Sequence, residues 1–160
     1  MKINNSSSKN IITIGLLLLF VVSFIGSVVS FWFDVINKWL NVDQFGTPIE
    51  VSNFLIIISL IFIFSLLALT VVGFIFKNKT LLYTAFGYQM LFIISVILLV
   101  FFVGGQVDNP TLYNILMWAF FILLAPVFGV TWIFGTWSIG IFIVLIILNT
   151  IALVSVSKSR

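Results

Sequence analysis

Most of this chain consists of five stretches rich in Ile, Leu, Val and Phe, set apart by short polar breaks. The first runs from Asn10 to Phe33, the second from Asn53 to Phe76 and the third from Thr80 to Val103. The remaining apolar block, Thr111 to Ser157, is about twice the ~20 residues needed for one bilayer crossing. It divides best at Gly135-Thr136, which gives Thr111 to Phe134 and Trp137 to Ser157. Between Lys79 and Lys158 only Asp108 is charged, and no soluble domain can hide so much apolar surface. The pattern predicts an all-α fold: a polytopic transmembrane helical bundle forming a single integral membrane domain over residues 1–160.

The polar breaks carry start and stop signals. Thr47-Pro48-Ile49-Glu50 fits a capping box, with Thr47 as N-cap and Pro48 at the first helical position, so the second helix is expected to begin there. Asn109-Pro110 is a similar start for the fourth segment, and Lys77-Asn78-Lys79 predicts a tight turn that pairs the second and third segments as an antiparallel hairpin. The longest loop is Asp34 to Ser52. Around its start Trp32, Val35, Ile36, Trp39 and Leu40 recur at helical spacing among polar residues, which reads as an amphipathic elbow on the outer leaflet. Pro126, Gly129, Gly135 and Gly140 make the Pro126–Gly140 stretch the most irregular apolar region, predicting a kink and a tight turn.

Charge gives the expected orientation. Lys2, Lys9, Lys77 and Lys79 fall on one side of the bilayer, while Asp34, Asp43, Glu50 and Asp108 fall on the other with Lys38. Under the positive-inside rule the amino terminus is cytoplasmic. The carboxyl terminus is contested. Five full spans place Lys158 and Arg160 outside, against that rule; four spans with a re-entrant segment around Thr111 to Trp137 keep them inside. Segment length favours five spans, and charge favours four.

Composition removes many kinds of chemistry. The 160 residues are 62% hydrophobic and 7% charged, against about 25% charged in a soluble domain. The chain has no cysteine and no histidine, which removes disulfides, thiolate catalysis, His-ligated haem and most zinc sites. It also lacks the paired-Cys loop of claudin-like four-span chains, and no family motif is matched. The net charge of +3 is spread over chain ends and short loops, so no nucleic-acid partner is expected. No dinucleotide fingerprint, P-loop, H-E-x-x-H or G-x-S-x-G motif is present. Lys2, Lys9 and the apolar run after them outline a secretory signal, but the run continues through Phe33, so an uncleaved first transmembrane helix is expected.

None of the five segments contains Asp, Glu, Lys, Arg or His, the usual mark of ion pathways and proton relays. The strongest polar groups at depth are Gln89 and Asn149. Each amide needs a partner in lipid, so the two are expected to meet in the bundle or to bond backbone carbonyls, serving as interhelical glue; a ligand headgroup contact is the alternative. Ser23, Gly26, Ser27 and Ser30 form a small-residue packing face on the first helix, and Thr84, Gly87 and Ser95 share a face with Leu91 on the third. The expected function is that of a non-catalytic accessory or structural subunit of a larger integral membrane complex, with lipid and other membrane subunits as partners and no catalytic site, metal or cofactor. The alternative is a homo-oligomeric channel or carrier for a small neutral or lipophilic solute, lined by Gln89, Asn149 and the Thr131 to Ser138 hydroxyls.

Overall fold

The computed structural model describes residues 5–37, 51–101, 110–135 and 137–158. Their regular structure is entirely helical: α1 (Asn5–Phe31), α2 (Asn53–Ile75), α3 (Lys79–Phe101), α4 (Pro110–Phe134) and α5 (Trp137–Lys158). A π-helical turn, Trp32–Ile36, extends α1. The five α-helices are long and apolar enough to cross a membrane.

Helix α2 starts later than the capping-box reading expects. Ser52 is extended (φ −67°, ψ 147°), and its hydroxyl accepts the Leu55 N–H at 3.1 Å, which is N-cap geometry. Its own N–H donates to Asp34 Oδ2 at 3.0 Å, tying the start of α2 to the end of α1. The residues of the capping box itself, 47–50, lie outside the described residues. At its other end α2 stops in the predicted polar turn. Lys77 takes a left-handed φ of 52°, and Asn78 N–H donates to the Gly73 carbonyl at 2.8 Å. The Asn78 side chain then works in both directions. Its Oδ1 accepts the Thr80 N–H at 3.0 Å, capping α3, while its Nδ2 donates to Thr13 Oγ1 on α1 at 3.2 Å.

Those contacts define a hairpin end of the bundle. Helix α1 begins there and runs antiparallel to α2, with Phe20 and Phe24 on Phe62 at 5.1 and 6.1 Å between ring centroids and Gly26 on Ile58. Tyr88 joins the same cluster, 4.9 Å from Phe62 and 6.1 Å from both Phe20 and Phe24. Phe62, Leu66, Leu69, Leu81, Ala85, Tyr88, Val127 and Phe142 form the main core.

Helix α5 runs antiparallel to α3. Phe142, early in α5, packs on Phe92 at 4.8 Å, whereas Ala152 and Val156, near its end, pack on Leu82. Lys158 therefore lies at the hairpin end, beside the lysines of the turn.

Helix α4 departs from the bundle axis. Phe121 and Phe128 both lie against the Phe31 ring, at 6.2 and 4.9 Å, and Trp118 stacks on Trp32 at 5.5 Å. Positions 118 and 129 are about 16 Å apart along α4, yet Trp118 meets Trp32 and Gly129 meets Leu55 and Ser59, all toward the end of the bundle opposite the hairpin. The middle of α4 therefore crosses the end of α1 obliquely. Ala125 joins Phe31, Val35, Ile36 and Leu55 in a second cluster there. The chain then turns at Gly135, whose φ of 53° is left-handed, and α5 starts from the end opposite the hairpin.

Candidate functional site

The two amides singled out from the sequence come together between α3 and α5. Asn149 Nδ2 donates to Gln89 Oε1 at 3.2 Å and to the Leu82 carbonyl at 3.3 Å. Both side chains are fully buried. Gln89 and Leu82 are seven positions apart, on the same face of α3, so one asparagine bridges about two helical turns. A carbonyl already used within its helix keeps a second lone pair, and Leu82 offers it here. Gln89 Nε2 and Asn149 Oδ1 make no hydrogen bond.

An apolar groove of about 290 Å³ opens one turn away, between α3, α4 and α5. Phe92, Val96, Val127 and Phe142 form its floor and walls, with Thr131 and Ser138 at its lining. Its hydroxyls are turned to their own helices: Thr131 Oγ1 donates to Phe128 O at 2.7 Å, and Ser138 Oγ to Gly135 O at 2.7 Å. Neither amide lines it. The surface it presents to a ligand is almost purely hydrocarbon.

The small-residue face of α1 is a packing surface inside this chain. Ser23 and Ser27 are fully buried and Ser30 nearly so. Their hydroxyls donate to the carbonyls of Phe20, Ser23 and Gly26 at 3.1, 2.8 and 2.8 Å, so none reaches across to another helix. A Cβ on Gly26 would stand 3.1 Å from Ile58 Cγ1, the measure of how closely α2 approaches. The α3 stripe is different. Leu91 is exposed, and nothing lies within 4 Å of where a Gly87 Cβ would be.

The outer-leaflet elbow is only partly described, since Trp39 and Leu40 lie outside the described residues. Trp32 stacks on Trp118, but Val35 and Ile36 are buried against Phe31 and Leu55 instead of lying on a lipid surface. The wide π-helical turn rotates this pair inward, and α4, crossing here, covers it.

Three functional or architectural residues have no signal in the sequence. Tyr88 donates its hydroxyl to the Leu123 carbonyl at 2.8 Å, three residues before Pro126. Gly129 approaches α2 so closely that a Cβ would stand 2.7 Å from both the Leu55 carbonyl oxygen and Ser59 Oγ. Ser59 Oγ is itself buried without a hydrogen-bond partner. A tyrosine in an apolar helix, or a glycine near a proline, has too many ordinary meanings for these contacts to be read in advance.

Among the described residues no group of three His, Cys, Asp or Glu side chains is placed to hold a metal. No protein-family model, curated protein or solved structure matches this chain.

Proposed function

We propose that this chain is a multi-pass membrane subunit without catalytic chemistry of its own, which packs against larger partner subunits within the bilayer. A multi-subunit membrane enzyme, respiratory or other, is the kind of assembly it fits. The observation that carries this reading is where its polar groups go. Most serine and threonine hydroxyls described in the apolar helices bond their own backbones, Tyr88 bonds the Leu123 carbonyl, and Gln89 and Asn149 bond each other. The outward surface is left to residues such as Phe54, Phe64, Leu91, Ile94 and Ile147, all exposed. Such a surface has two suitable neighbours, lipid chains and the apolar faces of other helices. The open stripe of Thr84, Gly87, Leu91 and Ser95 on α3 is the face on which close approach by a partner helix costs least.

In this reading the chain crosses the membrane four times, through α1, α2, α3 and α5. Helix α4 enters and leaves by the face opposite the hairpin. The support is the direction of α5: it returns Lys158 to the end that holds Lys9, Lys77 and Lys79, the arrangement that charge favours over segment length. That end is then cytoplasmic, and the amino terminus with it.

The channel or carrier reading has less support. It needs Gln89, Asn149 and the Thr131 to Ser138 hydroxyls to converge on one cavity. The amides are instead sealed from the groove, and Phe62 and Tyr88 fill the bundle centre.

The test is extraction of the tagged chain from native membranes in mild detergent, followed by identification of what co-purifies. A stoichiometric set of larger subunits is the expected result. Recovery as a homo-oligomer with nothing else bound would transfer the case to the channel or carrier.

A further inference from the structure

We propose that the hairpin end of the bundle is a binding surface for acidic phospholipid headgroups, held by Lys9, Lys77, Lys79 and Lys158. The inference rests on the four-crossing membrane reading and adds a partner to it.

These four are the basic side chains among the described residues, and the fold gathers all of them at one end. Lys77 and Lys79 flank Asn78 in the turn. Lys9 stands over the Phe76 ring, its Nζ 5.5 Å from the centroid, which holds an ammonium at the rim of the apolar body. Lys158 closes α5 just beyond Val156, which with Ala152 packs on Leu82. Lys9, Lys77 and Lys158 are exposed and Lys79 is half-buried.

No described carboxylate lies near them. Asp34, the one acid among the described residues, sits at the far end and accepts the Ser52 N–H. A group of lysines at the end of a lipid-embedded bundle, with no described acid to pair with, is complementary to the phosphate layer of an acidic leaflet. Lysine suits that role, because it is a compact point charge on a flexible stem and needs no fixed bidentate partner.

The experiment uses the full chain in phosphatidylcholine vesicles and measures the association of spin-labelled phosphatidylglycerol relative to spin-labelled phosphatidylcholine. The expected preference for the acidic lipid is roughly five-fold or more at low salt. It should fall toward unity near 1 M salt, where the Debye length is about 3 Å. Replacing all four lysines by glutamine should abolish the preference, replacing all four by arginine should keep it, and Asp34→Asn should leave it unchanged. Equal association of the two lipids, or a glutamine variant that keeps the preference, overturns the proposal.

Failure of the membrane reading is read separately. The chain has no cysteine, so Ser8→Cys, Thr80→Cys and Ser157→Cys each provide a single thiol. In sealed membranes all three should react with an impermeant reagent from the same side. Reaction of Ser157→Cys from the side opposite Thr80→Cys overturns the four-crossing topology and, with it, the gathering of the lysines.

Discussion

Two helix junctions in this bundle are built on opposite principles. Where α4 meets α2, Gly129 lets the backbones touch, and the contact is between a hydrogen, a carbonyl and a serine side chain. Where α5 meets α3, Asn149 and Gln89 hold the helices through a polar bond in an otherwise apolar contact. The first junction has no spare volume and little directional bonding. The second has directional bonding but side chains large enough to be replaced by others of similar size. In lipid there is no hydrophobic force between helices, so fit and hydrogen bonding must supply the attraction. The difference teaches which perturbation each junction feels: added atoms at the first, an unpaired polar group at the second.

The largest effect should come from adding atoms at Gly129. A Cβ there would stand 2.7 Å from the backbone oxygen of Leu55, which cannot swing aside as a side-chain tip can. Gly129→Leu is expected to cost about 3 kcal/mol or more and Gly129→Ala about 1–3 kcal/mol, in the range for overpacked cores. Gly87→Ala is the matched control. Nothing lies within 4 Å of its added methyl, so it should be neutral or slightly stabilising through helix propensity. Reversible unfolding in mixed micelles would measure all three. Equal losses at Gly129 and Gly87 would mean that glycine matters here only as a helix residue, and the contrast between the junctions would collapse.

Much of the frame was legible because hydrophobic run length and turn chemistry are local properties. The Lys77-Asn78-Lys79 turn and the break at Gly135 can be read directly, since a left-handed residue or a run of polar side chains interrupts any helix. The bounds of α3, α4 and α5 fall within about two residues of the segments that length alone defines. The start of α2 was misplaced because Thr47-Pro48 and Ser52 are both good N-terminal signals, and Asp34 decides between them from 18 positions away. The direction of α5 stays open in the sequence, where charge favours a return to the lysine end and segment length does not, and the oblique course of α4 is hidden. An apolar helix reads alike in both directions, and lipid-facing and core-facing residues share one composition. In the candidate site, Gln89 and Asn149 stood out because amides are rare among such residues. Tyr88 and Gly129 did not, because their meaning lies in Leu123 and Leu55, carbonyls of other helices.

The amide junction should respond next most strongly. Asn149→Leu leaves Gln89 buried with no hydrogen bond, an expected loss of about 1–3 kcal/mol, and Gln89→Leu should cost less because Asn149 Nδ2 keeps the Leu82 carbonyl. The double variant removes both polar groups and keeps apolar volume, so it should be less destabilised than the sum of the single variants. The coupling energy from this cycle is expected at about 0.6–1.7 kcal/mol, the span for interhelical hydrogen bonds in membranes. Strict additivity of the two single losses would mean that the bond seen between Asn149 Nδ2 and Gln89 Oε1 contributes nothing, leaving packing as the sole principle of both junctions.

The smallest effect tests whether a third helix pair combines the two principles. Tyr88 packs its ring on Phe62 at 4.9 Å and edge-on to Phe20 and Phe142, and it also donates to the Leu123 carbonyl. The substitution Tyr88→Phe removes the hydroxyl and leaves every ring contact in place. The expected loss is about 0.5–1.5 kcal/mol, one neutral hydrogen bond. Tyr88→Leu should lose more, because it also removes the ring contacts, each aromatic pair being worth about 0.5–1.5 kcal/mol beyond burial. If Phe at this position equals Tyr in stability while Leu falls, Tyr88 holds α3 through its ring contacts with α1, α2 and α5, and the bond to α4 contributes nothing. If the Phe variant loses as much as the Leu variant, the carbonyl of Leu123 is the true anchor.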